Sequence, residues 1–169
     1  TSIGALCGTL LVQRIDNSIL KIIVAGLLLL IFLHVLFSPQ VGNQDRHARL
    51  SKNIFYLVFG FGLGFYDGFF GPGVGSFWAI ALVIFLGLNL KSATAHTKTM
   101  NFTSNIVSLT AFILGGQVLF KIGLSMAAGQ FVGASLGARL VILKGTKFIR
   151  IFFLCVVVAT LGKMIFSFL

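Results

Sequence analysis

The chain has 169 residues, of which 57% are hydrophobic and only 9% charged, and its mean hydropathy is +1.06. Soluble domains carry about 25% charged residues, so the composition excludes an ordinary water-soluble fold and points to an integral membrane protein. The formal charge of +10 does not indicate nucleic acid, because the basic residues gather in short stretches between apolar ones, where they set orientation in a bilayer.

A membrane helix needs about 20 apolar residues. In chain order, residues 2–12 read as the tail of one span, and Ser18 to Phe37 is a complete one. A basic stretch over 38–53 follows, with Arg46, Arg49 and Lys52. Apolar stretches continue at 54–88, 93–114, 122–138 and 148–169. None shows the ten-residue alternation of a membrane barrel. The fold class expected is all-α, a polytopic helical bundle in the membrane. Cys7 and Cys155 both sit in apolar segments and suggest neither a disulfide nor a metal site. No cofactor is indicated.

Shifted by 129 positions, the chain sets residues 3–37 on 132–166 without a gap. Gly4 then meets Gly133, Ala5 meets Ala134, Gly8 meets Gly137, and Lys21 meets Arg150. Apolar matches are cheap in membrane helices, so the glycines, the basic residue and the absence of gaps carry the inference. A repeat of this kind organises the whole fold. Residues 1–37 are expected to end a first transmembrane repeat, 38–53 to form a basic cytoplasmic loop, and 54–169 to make a second repeat. The counterpart of 54–130 would precede Thr1, adding about 75 residues and giving an intact protein of about 250. Arg139, Lys144, Lys147 and Arg150 make a second basic stretch, whereas 13–17 holds only Arg14 and Asp16. With both strongly basic stretches cytoplasmic, the aligned turns 13–17 and 142–146 fall on opposite faces, which defines an inverted repeat.

The stretch Gly64 to Phe77, GFYDGFFGPGVGSF, interrupts this pattern with Asp67, Pro72 and five glycines. Residues 54–88 are too long for one span, which rarely exceeds about 25 residues, and too short for two with a turn, which need about 45. A discontinuous pair of helices fits, broken at 71–76. Pro72 removes an amide donor and clashes with the preceding turn. Gly71, Gly73 and Gly75 permit unusual backbone angles, and Ser76 is the expected cap of a second half-helix running to about Leu88. Such a half-helix presents its positive end to an anion. The plainer reading of the break is a proline kink in close packing. Packing is also the reading for the rows Gly60, Gly64, Gly68 and Gly129, Gly133, Gly137.

The next span opens TAHTKTMNFTSNIVSLTAF. At 100° per residue, Thr94, Thr97, Lys98, Asn101, Asn105 and Ser108 fall within one arc of about 100°. Polar groups at such depth face a bundle interior or a water-filled path. Lys98 lies near one end, where it could also snorkel; Asp67 is the candidate partner, either as a counter-charge to Lys98 or as a titratable coupling group. His96 and Thr103 fall on the opposite side. Three scattered histidines and three acids offer no ligand set of metal-site spacing, and no serine has an identifiable base, so no enzyme is expected.

The paired stretches GFYDGFFGPGVGSF and ATAHTKTMNFTSN resemble the second repeat of the TauE/SafE sulfite-exporter-like family, nearest its YfcA-type members, closely over 54–169, and residues 1–37 resemble the end of the family's first repeat. The resemblance implies a multi-pass carrier of small anions, chiefly sulfite, sulfonates and related sulfur oxyanions, in the bacterial inner membrane. It also implies two homologous halves around a central site. The family's glycine-proline break matches Gly71, Pro72, Gly73 and Gly75. Its polar helix matches Thr94, His96, Lys98, Asn101, Thr103, Ser104 and Asn105. The substrate-binding set expected is therefore Asp67, Gly71, Gly73, Gly75, Ser76, Thr94, Thr97, Lys98, Asn101 and Asn105. The partners are the anion, the bilayer and the first-repeat segment, with a homo-oligomer compatible. Alternatives of other classes are a membrane scaffold or assembly protein, whose polar stripe is interhelical glue, and a passive anion channel.

Overall fold

A computed structural model describes residues 1–37 and 47–166, and the regular structure among these is entirely helical. The helices are α1 (Ser2–Val12), α2 (Asn17–Phe37), α3 (Lys52–Phe69), α4 (Val74–Leu86), α5 (Leu90–Leu114) and α6 (Phe120–Phe166). The all-α class is as expected. Most of the basic stretch 38–53, namely 38–46, lies outside the described residues. The chain divides into two compact units, Thr1–Leu20 with Pro39–Gln117 and Lys21–Ser38 with Val118–Leu169. The first holds α1, α3, α4 and α5; the second holds α6 and most of α2.

In the first unit α1 and α3 run in the same direction with their backbones in contact. Gly4 and Gly8 lie on the carbonyls of Phe61 and Phe65, and in return Gly64 and Gly68 lie on those of Thr1 and Ala5. A Cβ at any of these four glycines would overlap the facing carbonyl. In lipid, helices associate through such close packing rather than through expulsion of water. The packing predicted for the row Gly60, Gly64, Gly68 is thus present, and its partner is α1.

The core of this unit joins α3, α4 and the start of α5. Phe55, Trp78 and Leu82 are fully buried, with Val74, Ala81, Val83, Leu86 and Ala93 around them. Phe55 stacks on Phe59 with centroids 4.8 Å apart, and Phe59 meets Phe85 at 4.8 Å. Truncating an aromatic ring in a packed core costs about 3–5 kcal/mol, so these rings fix how α4 returns along α3. Asn89 caps α5, its Oδ1 accepting from Ser92 N at 2.9 Å. Gly87, in the left-handed region with φ 68°, ends α4.

In the second unit α6 runs for 47 residues without interruption. The sequence suggested two spans, 122–138 and 148–169, with a basic turn between them. The helix instead continues through 139–147, a stretch with no proline and the single glycine Gly145, otherwise rich in residues that propagate a helix.

Among the described residues, no helix is both long and apolar enough to cross a membrane. The helices α1 and α4 have 11 and 13 residues, short of the roughly 20 that a span needs. Lys52, Asn53 and Asp67 interrupt the apolar run of α3, and α5 carries the polar stripe. Parts of the two plainest expected spans, 18–37 and 148–169, lie outside the described side chains.

Candidate functional site

The break expected at 71–76 lies at 70–73, between Phe69 and Val74. The amides of Phe70 and Gly71 both turn back to the Tyr66 carbonyl, at 2.8 and 3.1 Å. Gly71 and Gly73 then adopt φ of 84° and 82°, the left-handed region that costs an L side chain about 1–2 kcal/mol per residue. Gly73 itself is the N-cap of α4, and no side chain caps the helix. Ser76 is therefore not the cap. It lies inside the first turn, its amide donating to the Gly73 carbonyl at 2.9 Å. The left-handed turn at Gly73 lets helical geometry begin at once, three residues earlier than expected.

Tyr66 was not among the expected site residues, yet it braces this turn. Its hydroxyl donates to the Pro72 carbonyl at 2.7 Å. Its ring meets Phe70 and Phe77 edge-on, with centroids 5.9 and 5.5 Å away. One signal could have found it: the chain has two tyrosines against nineteen phenylalanines. A hydroxyl chosen in so phenylalanine-rich a region needs a hydrogen-bond partner.

The first turn of α4 abuts the polar face of α5. A Cβ on Gly75 would lie 3.4 Å from Asn101 Nδ2 and 3.6 Å from Thr97 Cγ2, in ordinary contact with both, so the first turn of α4 lies directly against these two side chains. The stripe itself divides along its length. Thr97 is buried and Asn101 and Ser108 are half-buried, whereas Thr94, Lys98 and Asn105 are exposed. Several hydroxyls of α5 are satisfied within the helix: Thr94, Thr97, Thr103 and Thr110 donate to the carbonyls of Leu90, Ala93, Thr99 and Ile106 at 2.7–2.9 Å. Back-bonding of this kind lowers the cost of hydroxyls in an apolar setting, so they are no mark of a site. Asn101 differs. Its Oδ1 is buried and has no hydrogen-bond partner among the described residues.

The Asp67 carboxylate accepts a hydrogen bond from Ser104, which is fully buried. Lys98, the expected partner, is exposed, and at 100° per residue its place on α5 is far round the helix from that of Ser104. Gly68, next to Asp67, joins a second polar cluster. Thr9 Oγ1 lies 3.1 Å from the Gly68 carbonyl and 2.9 Å from Ser108 Oγ. The structure thus brings together Gly75, Thr97 and Asn101, and separately Asp67 with Ser104. It leaves Thr94, Lys98 and Asn105 on the open side of α5.

A helix interrupted at mid-length, with its break against the polar face of a neighbour, is a construction of membrane transport proteins. That is the class indicated here. The model of the family Sulfite exporter TauE/SafE matches residues 1–164, and the chain belongs to this family. A probable membrane transporter protein of Haemophilus influenzae is 51% identical over 148 residues, 88% of this chain and 58% of that protein. The probable membrane transporter protein YfcA of Escherichia coli is 45% identical over 167 residues, 99% of this chain and 62% of its own length. The probable membrane transporter protein ORF9 of a Sinorhizobium species is 42% identical over 147 residues, 87% of this chain and 56% of that protein. The chain therefore spans about three fifths of the length of these curated relatives. No solved structure matches it.

Proposed function

We propose that the protein is a secondary transporter that exports small anions such as sulfite, sulfonates or related sulfur oxyanions across the bacterial inner membrane as a multi-pass carrier. The observation that carries this reading is the approach of Gly75 to Thr97 and to Asn101 Nδ2, which faces the first turn of α4. That nitrogen carries two N–H donors and lies beside the positive end of α4, where an oxyanion is favoured.

In this reading the anion sits between the first turn of α4 and the face of α5. Lys98 supplies charge, Asn101 and Asn105 supply hydrogen bonds, and Thr94 and Thr97 line the approach. Gly71, Gly73 and Gly75 give the backbone its shape, with Ser76 in the turn above. The exposed half of the stripe, Thr94, Lys98 and Asn105, would be covered by the other half of the full-length protein. Asp67 is held by Ser104 and not by Lys98, which favours its role as a titrating coupling group over that of counter-charge. One repeat rocking against the other would give alternating access. The test is transport by the full-length Lys98→Ala, Asn101→Ala double variant, checked for insertion. Loss of sulfite or sulfonate flux is expected; flux at the parental rate would overturn the reading.

A further inference from the structure

Ser104 stands apart from the other hydroxyls of α5. Thr94, Thr97, Thr103 and Thr110 each donate to one carbonyl of their own helix. The Ser104 hydroxyl, fully buried, has three oxygens within reach. One belongs to the Asp67 carboxylate on α3; the others are the Met100 and Asn101 carbonyls of α5, at 3.0 and 3.1 Å. A hydroxyl carries a single hydrogen, so it serves one of these acceptors at a time. Which one it serves depends on the proton of Asp67. An ionised carboxylate only accepts, and Ser104 then turns its hydrogen toward α3. A protonated carboxyl has a donor of its own. It donates to the Ser104 oxygen, whose hydrogen turns back to its own helix. The buried hydroxyl is bonded in both states, and neither state requires the carboxyl group to move.

From this count we infer that Ser104 is the positioning residue of a proton site at Asp67, its hydroxyl turning between the carboxylate and its own helix as the acid loses and gains a proton. Ser104 has this role only under the reading of Asp67 as a titrating coupling group, on which the inference rests. It also supplies a link to the anion. Asn101 presents its side-chain nitrogen to the first turn of α4, and its carbonyl is one of the two that the Ser104 hydrogen reaches. On the other side of the acid, a Cβ on Gly71 would lie 3.5 Å from Asp67 Oδ1. Asp67 therefore stands between the break and the polar face of α5. Few neighbours compete for its proton. Tyr66 precedes it on α3 but gives its hydroxyl hydrogen to the Pro72 carbonyl. Neither α4 nor the part of α5 beyond Lys98 has a titratable side chain. Lys91, His96 and Lys98 of α5 and Cys7 of α1 are exposed.

Infrared titration of the full-length protein, reconstituted in lipid with no anion substrate present, tests the pair directly. The carboxyl band of Asp67 is identified by its loss in Asp67→Asn. Ser104→Ala should shift that band and displace its titration by about one pH unit or more, because a hydrogen bond to an ionised group is stronger than one to a neutral group and the two losses do not cancel. Ser104→Thr keeps the hydroxyl and should titrate with the parent. Ser108→Ala removes a hydroxyl one turn further on, paired with Thr9, and should leave the Asp67 band in place. If Ser104→Ala fails to insert, Ser104→Cys, a weak donor, takes its place with the same expectation. A Ser104→Ala protein that titrates like the parent, or a Ser104→Thr protein that titrates like Ser104→Ala, would overturn the inference. A parent with no band that is lost in Asp67→Asn would overturn it too, together with the titrating role of Asp67. Transport is read separately: a parent that moves neither sulfite nor benzenesulfonate would overturn the proposed function and leave the infrared result standing.

Discussion

Gly60, Gly64 and Gly68 stand only a few residues before Gly71 and Gly73, yet the two sets do opposite things. In the row, the backbone is ordinary helix, and at Gly64 and Gly68 the missing side chain matters because the Thr1 and Ala5 carbonyls occupy its place. At the break, the backbone angle matters. Gly71 and Gly73 are glycines because of their φ of 84° and 82°, angles that L residues rarely adopt. One set makes a seam and the other makes a corner. Substitutions should therefore separate them by size of effect and by what rescues them.

The largest effect is expected at the seam. Gly68→Leu would drive a side chain into the Ala5 carbonyl, and overpacking of this kind costs about 1–3 kcal/mol or more. Thermal unfolding of the full-length protein in detergent should show a large fall in midpoint, rescued by no residue that carries a Cβ. The corner should be milder. Gly73→Ala should cost about 1–2 kcal/mol, and Gly73→Asn should cost less, since asparagine tolerates the left-handed region. Equal losses for Ala and Asn would mean that crowding, not backbone angle, selects glycine there. The smallest effect is a control within the same helix. Gly62 lies on α3, exposed, with nothing near its would-be Cβ, so Gly62→Ala should leave stability unchanged or raise it by up to about 1 kcal/mol. A loss at Gly62 comparable to that at Gly68 would dissolve the distinction.

How far the sequence revealed these features follows from the kind of signal each leaves. The break was legible because it combines two independent constraints, a length that suits neither one span nor two and a proline flanked by glycines. The seam was legible as packing, but its partner was not, because small residues declare proximity without declaring to what. The polar stripe was found by helical periodicity, yet its division into a buried and an open half depends on where α1, α3 and α4 lie around α5. Asp67 is instructive. Opposite charge suggested Lys98, whereas the structure supplies Ser104, which lies just outside the arc and carries no charge to draw notice. Thr9 left no trace either. It packs against Ser108 from 99 positions away, and the repeat aligns it with Ala138, which has no hydroxyl, so periodicity and register were both silent.

The hydrogen bond from Tyr66 to Pro72 bears on how this part of the molecule can move. Proline and glycine together would ordinarily make a hinge, since a broken ladder of amides resists bending poorly. Here a phenol spans the gap from the last turn of α3 to the carbonyl just before Gly73, with aromatic rings on either side of it. The corner is thereby triangulated: the phenol ties the last turn of α3 to the backbone that leads into α4, and Tyr66 is the strut whose removal would leave the two helices joined by proline and glycine alone.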